Sequence, residues 1–217
     1  MSGRDVRRLA ARASTSSHQD KQLQVTRIAL GALENGVDQI VLIDEPFRIS
    51  RRAVENLPDQ EQFHFIKPGH THTAVDTVVA VEMMRELGCN ALVVLGGDGT
   101  NRIVAKTWAD AVMLPLSTGT NNVFPRMLEA SVAGAAAGLV ASGQVTRDSG
   151  CIRAKVVHLE LADGSRDLAL VDAVLLRNEL LGSLLPFDAD RLADVMLAIA
   201  EPASVGISPI GRSEEHT

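Results

Sequence analysis

The chain has 217 residues, 46% of them hydrophobic and 22% charged, with a formal net charge of −6. That composition supports a packed core and excludes an extended disordered chain, while the negative charge, the 3% aromatic content and the lack of a Lys/Arg cluster exclude the footprint of a nucleic-acid binder. The two cysteines, Cys89 and Cys151, make neither a zinc pattern nor a disulfide framework, and no apolar run suits a membrane span or a signal core, so the cytoplasm is the expected compartment.

In chain order, residues 19 to 35 read as a helix, because Val25, Ile28, Ala29, Ala32 and Leu33 recur at helical spacing and Gly36 supplies a stop. Val37 to Ile43 reads as a strand, and Phe63 to Ile66 as a shorter one. Thr73 and Asp76 resemble a capping box at the start of a second long helix. Its expected buried face is Val75, Val78, Val79, Met83 and Leu87, and Gly88 ends it. Ala91 to Leu95 is a continuous apolar run of the kind a central parallel strand carries. A glycine loop, a short helix through Trp108 and a strand from Val112 to Leu116 follow. Next come a polar loop, Ser117 to Asn122, and an Ala/Gly-rich helix ending near Ser142. Strands alternating with helices predict βαβ units and an α/β fold, a doubly wound, Rossmann-like parallel sheet.

The character changes between Gly143 and Gly150. Lys155 to Leu161 and Leu168 to Leu176 read as strands joined by the turn Ala162-Asp163-Gly164-Ser165, with a helix from Asp188 to Ala200 and a strand near Val205 to Ile210 beyond. The expected division is an α/β domain over 1–145 and part of a β-rich domain over 146–211. Residues 212–217, Arg-Ser-Glu-Glu-His-Thr, equal one reading frame of a common sequencing adapter and are expected to be an artefact.

Gly96-Gly97-Asp98-Gly99-Thr100 lies between a buried strand and a helix, where open α/β sheets bind ligands. Glycines let the backbone approach a phosphate, and the helix start adds the positive end of its dipole. A carboxylate there, Asp98, either holds a metal or takes a proton from an attacking hydroxyl. The plainer alternative is a tight turn in which Thr100 caps the helix and Asp98 closes an Asx-turn. The second loop, Ser117 to Asn122, also joins strand to helix, and the two together predict a nucleotide cradle. Its own plain alternative is capping by Asn121 or Asn122, with Pro125 in the first turn. His70 and His72 read either as metal ligands or, better, as a solvated loop. The Walker lysine pattern is absent, which disfavours that class of NTPase.

The stretches Val93 to Asn101 and Leu114 to Asn122 resemble the superfamily of NAD kinases and diacylglycerol kinases, and Leu116 to Pro125 is similar to the acetoin catabolism protein X family. That resemblance, which runs through nearly the whole chain, implies a phosphotransferase using ATP and Mg²⁺ on a hydroxyl of a small molecule, NAD or another metabolite. It implies Asp98 as the catalytic acidic residue. Gly96, Gly97, Gly99, Thr100 and Asn101 would form the phosphate loop, and Thr118, Gly119, Thr120 and Asn121 the second nucleotide loop. The family's Asn-Glu pair falls at Val171-Asp172, which weakens NAD as the acceptor, since valine cannot hydrogen-bond a ribose. Asp172 is left as either a ligand residue or a surface residue of a strand. The family's first strand is missing before Met1, which predicts an incomplete product. The resemblance also leaves a second class open, a nucleotide-binding regulator or accessory protein of acetoin breakdown without transfer. A small-molecule partner is expected, and a homo-oligomer stays open.

Overall fold

A computed structural model of the chain describes residues 17–118, 122–177, 189–200 and 207–209. Helix α1 (His18–Leu33) opens with a true capping box, in which Ser17 Oγ accepts from Asp20 N and Asp20 accepts from Ser17 N. Strand β1 (Ile40–Ile43), the short helix α2 (Ile49–Val54) and strand β2 (Phe63–Ile66) follow. β1 and β2 pair in parallel, Ile40 opposite Phe63 and Ile43 opposite Ile66. Ala29, Ala53, Val54 and Phe63 are the centre of the core they share with α1.

The second unit is α3 (Ala74–Glu86), β3 (Leu92–Leu95), α4 (Asp98–Thr107) and β4 (Met113–Leu116). β3 and β4 are again parallel, Leu92 opposite Met113 and Leu95 opposite Leu116. Val81, Leu92, Val94 and Val104 form its core. Helix α5 (Ala130–Ala141) rests on β3 and packs along α1. That seam depends on absent side chains: a Cβ on Gly138 would stand 2.8 Å from the Ala32 carbonyl oxygen, and one on Gly134 would enter the backbone of Ile28. The mixed α/β class is therefore present, built from two parallel strand pairs among the described residues.

Beyond a single turn, α6 (Arg147–Gly150), come β5 (Val157–Glu160), β6 (Arg166–Ala169), β7 (Asp172–Leu176) and β8 (Leu192–Leu197). β5–β6 and β7–β8 are antiparallel pairs. The expected strand Leu168 to Leu176 is divided at Leu170-Val171, where the carbonyl of Val171 accepts from Ala198 N and Ile199 N.

Two expectations fail. The helix expected over Asp188 to Ala200 is a turn of 3-10 helix followed by β8, whose half-buried and exposed residues alternate through Val195, Met196 and Leu197. The buried face of α3 is Ala80 and Val81, while Val75 and Leu87 are more than half exposed. Of the strand expected at 205–210, only 207–209 fall among the described residues, and they form none. No helix among the described residues is long and apolar enough to cross a membrane.

Candidate functional site

Because β3 and β4 are adjacent and parallel, the loops that follow them leave from the same edge. The ladder continues one step further, with Gly96 N donating to the Leu116 carbonyl at 3.1 Å. The two polar loops are thereby held side by side. Gly119, Thr120 and Asn121 of the second loop lie outside the described residues.

Helix α4 starts at Asp98, with Gly97 as a cap residue that offers no side-chain hydrogen bond. The helix start therefore presents the backbone N–H groups of Asp98, Gly99 and Thr100, which by position lack intrahelical acceptors. Thr100 does not cap the helix, and Asp98 does not close a turn on itself. Its carboxylate reaches across to the second loop instead, Oδ1 accepting from Phe124 N at 2.9 Å and Val123 N at 3.1 Å, and Oδ2 from Val123 N at 3.2 Å. Asp98 thus ties the start of α4 to the segment 25 residues later.

A second tie runs beside it. Asn122 Nδ2 donates to Ser117 Oγ at 2.9 Å, and Asn122 Oδ1 occupies the space over Gly97, 2.7 Å from where a Cβ would be. Asn122 is not a helix cap, because α5 begins only at Ala130. That helix is capped by Glu129, whose carboxylate accepts from Ser131 N and Val132 N and is held below its ordinary value chiefly by the Val132 bond. Pro125 is buried in the intervening loop.

The glycines of the first loop divide by what surrounds them. Gly96 is buried against the side chain of Thr100, and Gly97 lies under Asn122. Gly99 is exposed, and a Cβ there would meet nothing within 4 Å among the described residues. Asn101, in the first turns of α4, is wholly buried. Its Nδ2 donates to the Gly97 carbonyl at 2.9 Å, and its Oδ1 has no partner among the described residues. Thr118 is half-buried at the foot of the second loop. Asp172 opens β7 opposite Leu197, and Val171 precedes it with its carbonyl engaged by Ala198 and Ile199.

Elsewhere, Asp76 closes the His70–His72 loop by accepting from Thr71 N, Thr71 Oγ and His72 N, while Thr73 caps α3 through Val75 N. The expected reciprocal box between Thr73 and Asp76 does not form: Asp76 accepts from Thr71 and His72 instead of from Thr73 N, and its own N–H donates to the Thr73 carbonyl. Among the described residues no group of three or more His, Cys, Asp and Glu is placed to hold a metal ion. Sequence reasoning missed Ser117 and Asn122 as a pair. The signal for them was their membership of the polar loop, which gave no hint that they bond each other across Gly97.

Residues 5–145 match the ATP-NAD kinase N-terminal domain, and residues 155–216 match the acetoin catabolism protein X C-terminal domain. Over 233 aligned residues the chain is 31% identical to acetoin catabolism protein X of Cupriavidus necator, an alignment covering 99% of this chain and 65% of that protein. The chain thus spans somewhat less than two thirds of that relative's length. No solved structure matches it.

Proposed function

This chain belongs to the ATP-NAD kinase family, and from that membership and its two joined loops we propose that it is a phosphotransferase that binds MgATP and phosphorylates a hydroxyl of a small molecule. The observation that carries the proposal is Gly99. It lies in the first turn of α4, where a Cβ would meet nothing within 4 Å among the described residues. Nothing among the described residues requires a glycine there, although glycine costs a helix interior about 1 kcal/mol against alanine. A bare backbone at an uncapped helix start suits a phosphate, which takes N–H donors and the positive dipole end together.

The residues fit that group. Backbone N–H groups of Asp98, Gly99 and Thr100 would bind phosphate oxygens, and Asn101 holds the Gly97 carbonyl back from them. MgATP, when bound, supplies the transferable phosphoryl group and the cation that offsets its charge. Mg²⁺ commonly takes phosphates, waters and only one or two carboxylates, which is compatible with a site that has no preformed cluster of ligands. Asp98 is the residue to orient the acceptor hydroxyl and take its proton. Its Oδ2 has only the longest of the three backbone contacts and is the oxygen left to do so. Gly96, Gly97, Thr118, Gly119, Thr120 and Asn121 would shape the remaining walls. The same reading takes the two parallel pairs as parts of one doubly wound sheet bridged by α1 and α5.

The name of the similar protein directs the search for an acceptor toward small hydroxyl-bearing metabolites of acetoin breakdown, with NAD a weaker candidate because Val171 stands where the resemblance calls for a hydrogen-bonding residue. A second reading, a nucleotide-binding regulator without transfer, draws support from the engagement of Asp98 with Val123 and Phe124, which gives that carboxylate a structural task of its own. ATP turnover at saturating Mg²⁺ against a panel of hydroxyl metabolites, in the native protein and Asp98→Asn, separates the two. Turnover lost in Asp98→Asn with ATP still bound supports transfer. ATP binding without turnover on any acceptor supports the regulator.

A further inference from the structure

Outside the two loops, an unassigned polar cluster joins α4 to β6. Arg102 and Lys106 stand one turn apart on α4, and both reach Asp167. Arg102 Nε donates to the Leu168 carbonyl at 2.6 Å, and its Nη2 donates to Asp167 Oδ2. Lys106 Nζ donates to the other carboxylate oxygen at 3.1 Å, which also accepts from Leu168 N at 2.9 Å. The guanidinium fork is therefore filled by a carboxylate and a backbone carbonyl of one strand, a geometry that lysine cannot reproduce. Leu168, Ala169 and Leu170, next in sequence, are buried. A lone exposed ion pair contributes little, but two cations on one carboxylate with a backbone anchor form a network.

Its position gives the cluster its consequence. Helix α4 carries Asp98 at one end, and on its inner side Asn101 holds Gly97. One residue after Asn101, Arg102 grips β6, and Asp172 lies five residues past Asp167. We propose that Asp167 is a positioning residue: through Arg102 and Lys106 it seats the β5–β6 hairpin on α4, so that the glycine loop and the strand bearing Asp172 keep one relative placement. Its effect on nucleotide affinity rests on the loop being the phosphate site, whereas the coupling between β6 and the loop does not.

The test uses the full-length protein with Asp167→Asn, Arg102→Gln, their double variant and the milder Lys106→Gln. Amide hydrogen exchange is read at 97–100, at 166–170 and in α1, and MgATP affinity by calorimetry. Both main variants are expected to speed exchange at 166–170 and at 97–100 together, leave α1 unchanged, and weaken MgATP on the order of threefold to tenfold, with the double no worse than either single. Lys106→Gln should move in the same direction by less. Faster exchange confined to 166–170, or a double variant showing the sum of the singles, would overturn the proposal. A wild type that binds no MgATP would sink the nucleotide reading, while the exchange pattern would still decide the coupling.

Discussion

Replacing Gly99 by alanine separates a glycine kept for the fold from one kept for a ligand. Among the described residues the added methyl meets nothing within 4 Å, and it lies in the first turn of α4. Relief of glycine's entropy in the unfolded chain stabilises by about 0.4–1 kcal/mol. For a domain of this size that raises the melting temperature by at most about 2–4 °C. For a phosphate the same methyl crowds the approach to the N–H groups of the first turn. Losing one charge-assisted hydrogen bond costs about 1.5–3 kcal/mol, so MgATP affinity should fall roughly tenfold or more. Thermal melts without nucleotide and calorimetric titration with MgATP measure the two effects on one sample. A lower melting temperature would refute the open space around Gly99. An unchanged MgATP affinity would refute the loop as the phosphate site.

Gly97→Ala should behave in the opposite way in the melt, because its Cβ would displace Asn122 and break the bond to Ser117; a loss of about 1–3 kcal/mol is expected in denaturant titration. Asp98→Asn should melt like the wild type, since an amide oxygen can still accept from Val123 and Phe124, whereas Asp98→Ala should lose about 1–3 kcal/mol by leaving both N–H groups unpaired. NADP formation from NAD should be weak, and restoring a hydrogen-bonding side chain with Val171→Asn should raise it; no rise would remove Val171 from the acceptor site. At Asp167, burial pushes the carboxyl up, but the bonds from Lys106 and Leu168 N and the charge of Arg102 outweigh it and leave the value lowered. The clamp's contribution is then complete above the ordinary aspartate range near pH 4 and lost as pH falls through the depressed folded value. Fluorescence of Trp108, the single tryptophan, at the end of α4, should therefore stay constant down to about pH 4 and change below it, with Asp167→Asn lacking that step.

The central part of the molecule was legible in the sequence for identifiable reasons. Phe63 to Ile66, apolar except for the exposed His64, and the apolar run ending at Leu95 are short segments bounded by polar residues or glycine, and they are strands. The loops after Leu95 and Leu116 could be placed on one edge because a parallel pair leaves no other choice. The face of α3 was not legible: Val75, Val78, Val79, Ala80 and Val81 make nearly every face apolar, so periodicity picks none, and packing against Leu92 and Val104 selects Val81. The segment over Leu192 to Leu197 is rich in good helix formers, yet pairing with β7 imposes a period of two, a tertiary choice that overrides propensity. Least legible was the second task of Asp98. A motif shows a carboxylate among glycines, but only the fold shows it accepting from N–H groups 25 and 26 residues away. The grip of Arg102 on β6 is hidden for the same reason, since its partners lie 65 and 66 residues distant.

The most direct test of the two-loop cradle is amide hydrogen exchange of the full-length protein with and without MgATP. Slower exchange is expected at 97–100 and at 117–124 together, with β1, β2 and α2 unaffected. Protection centred on any other part of the chain, or at one loop without the other, would contradict it.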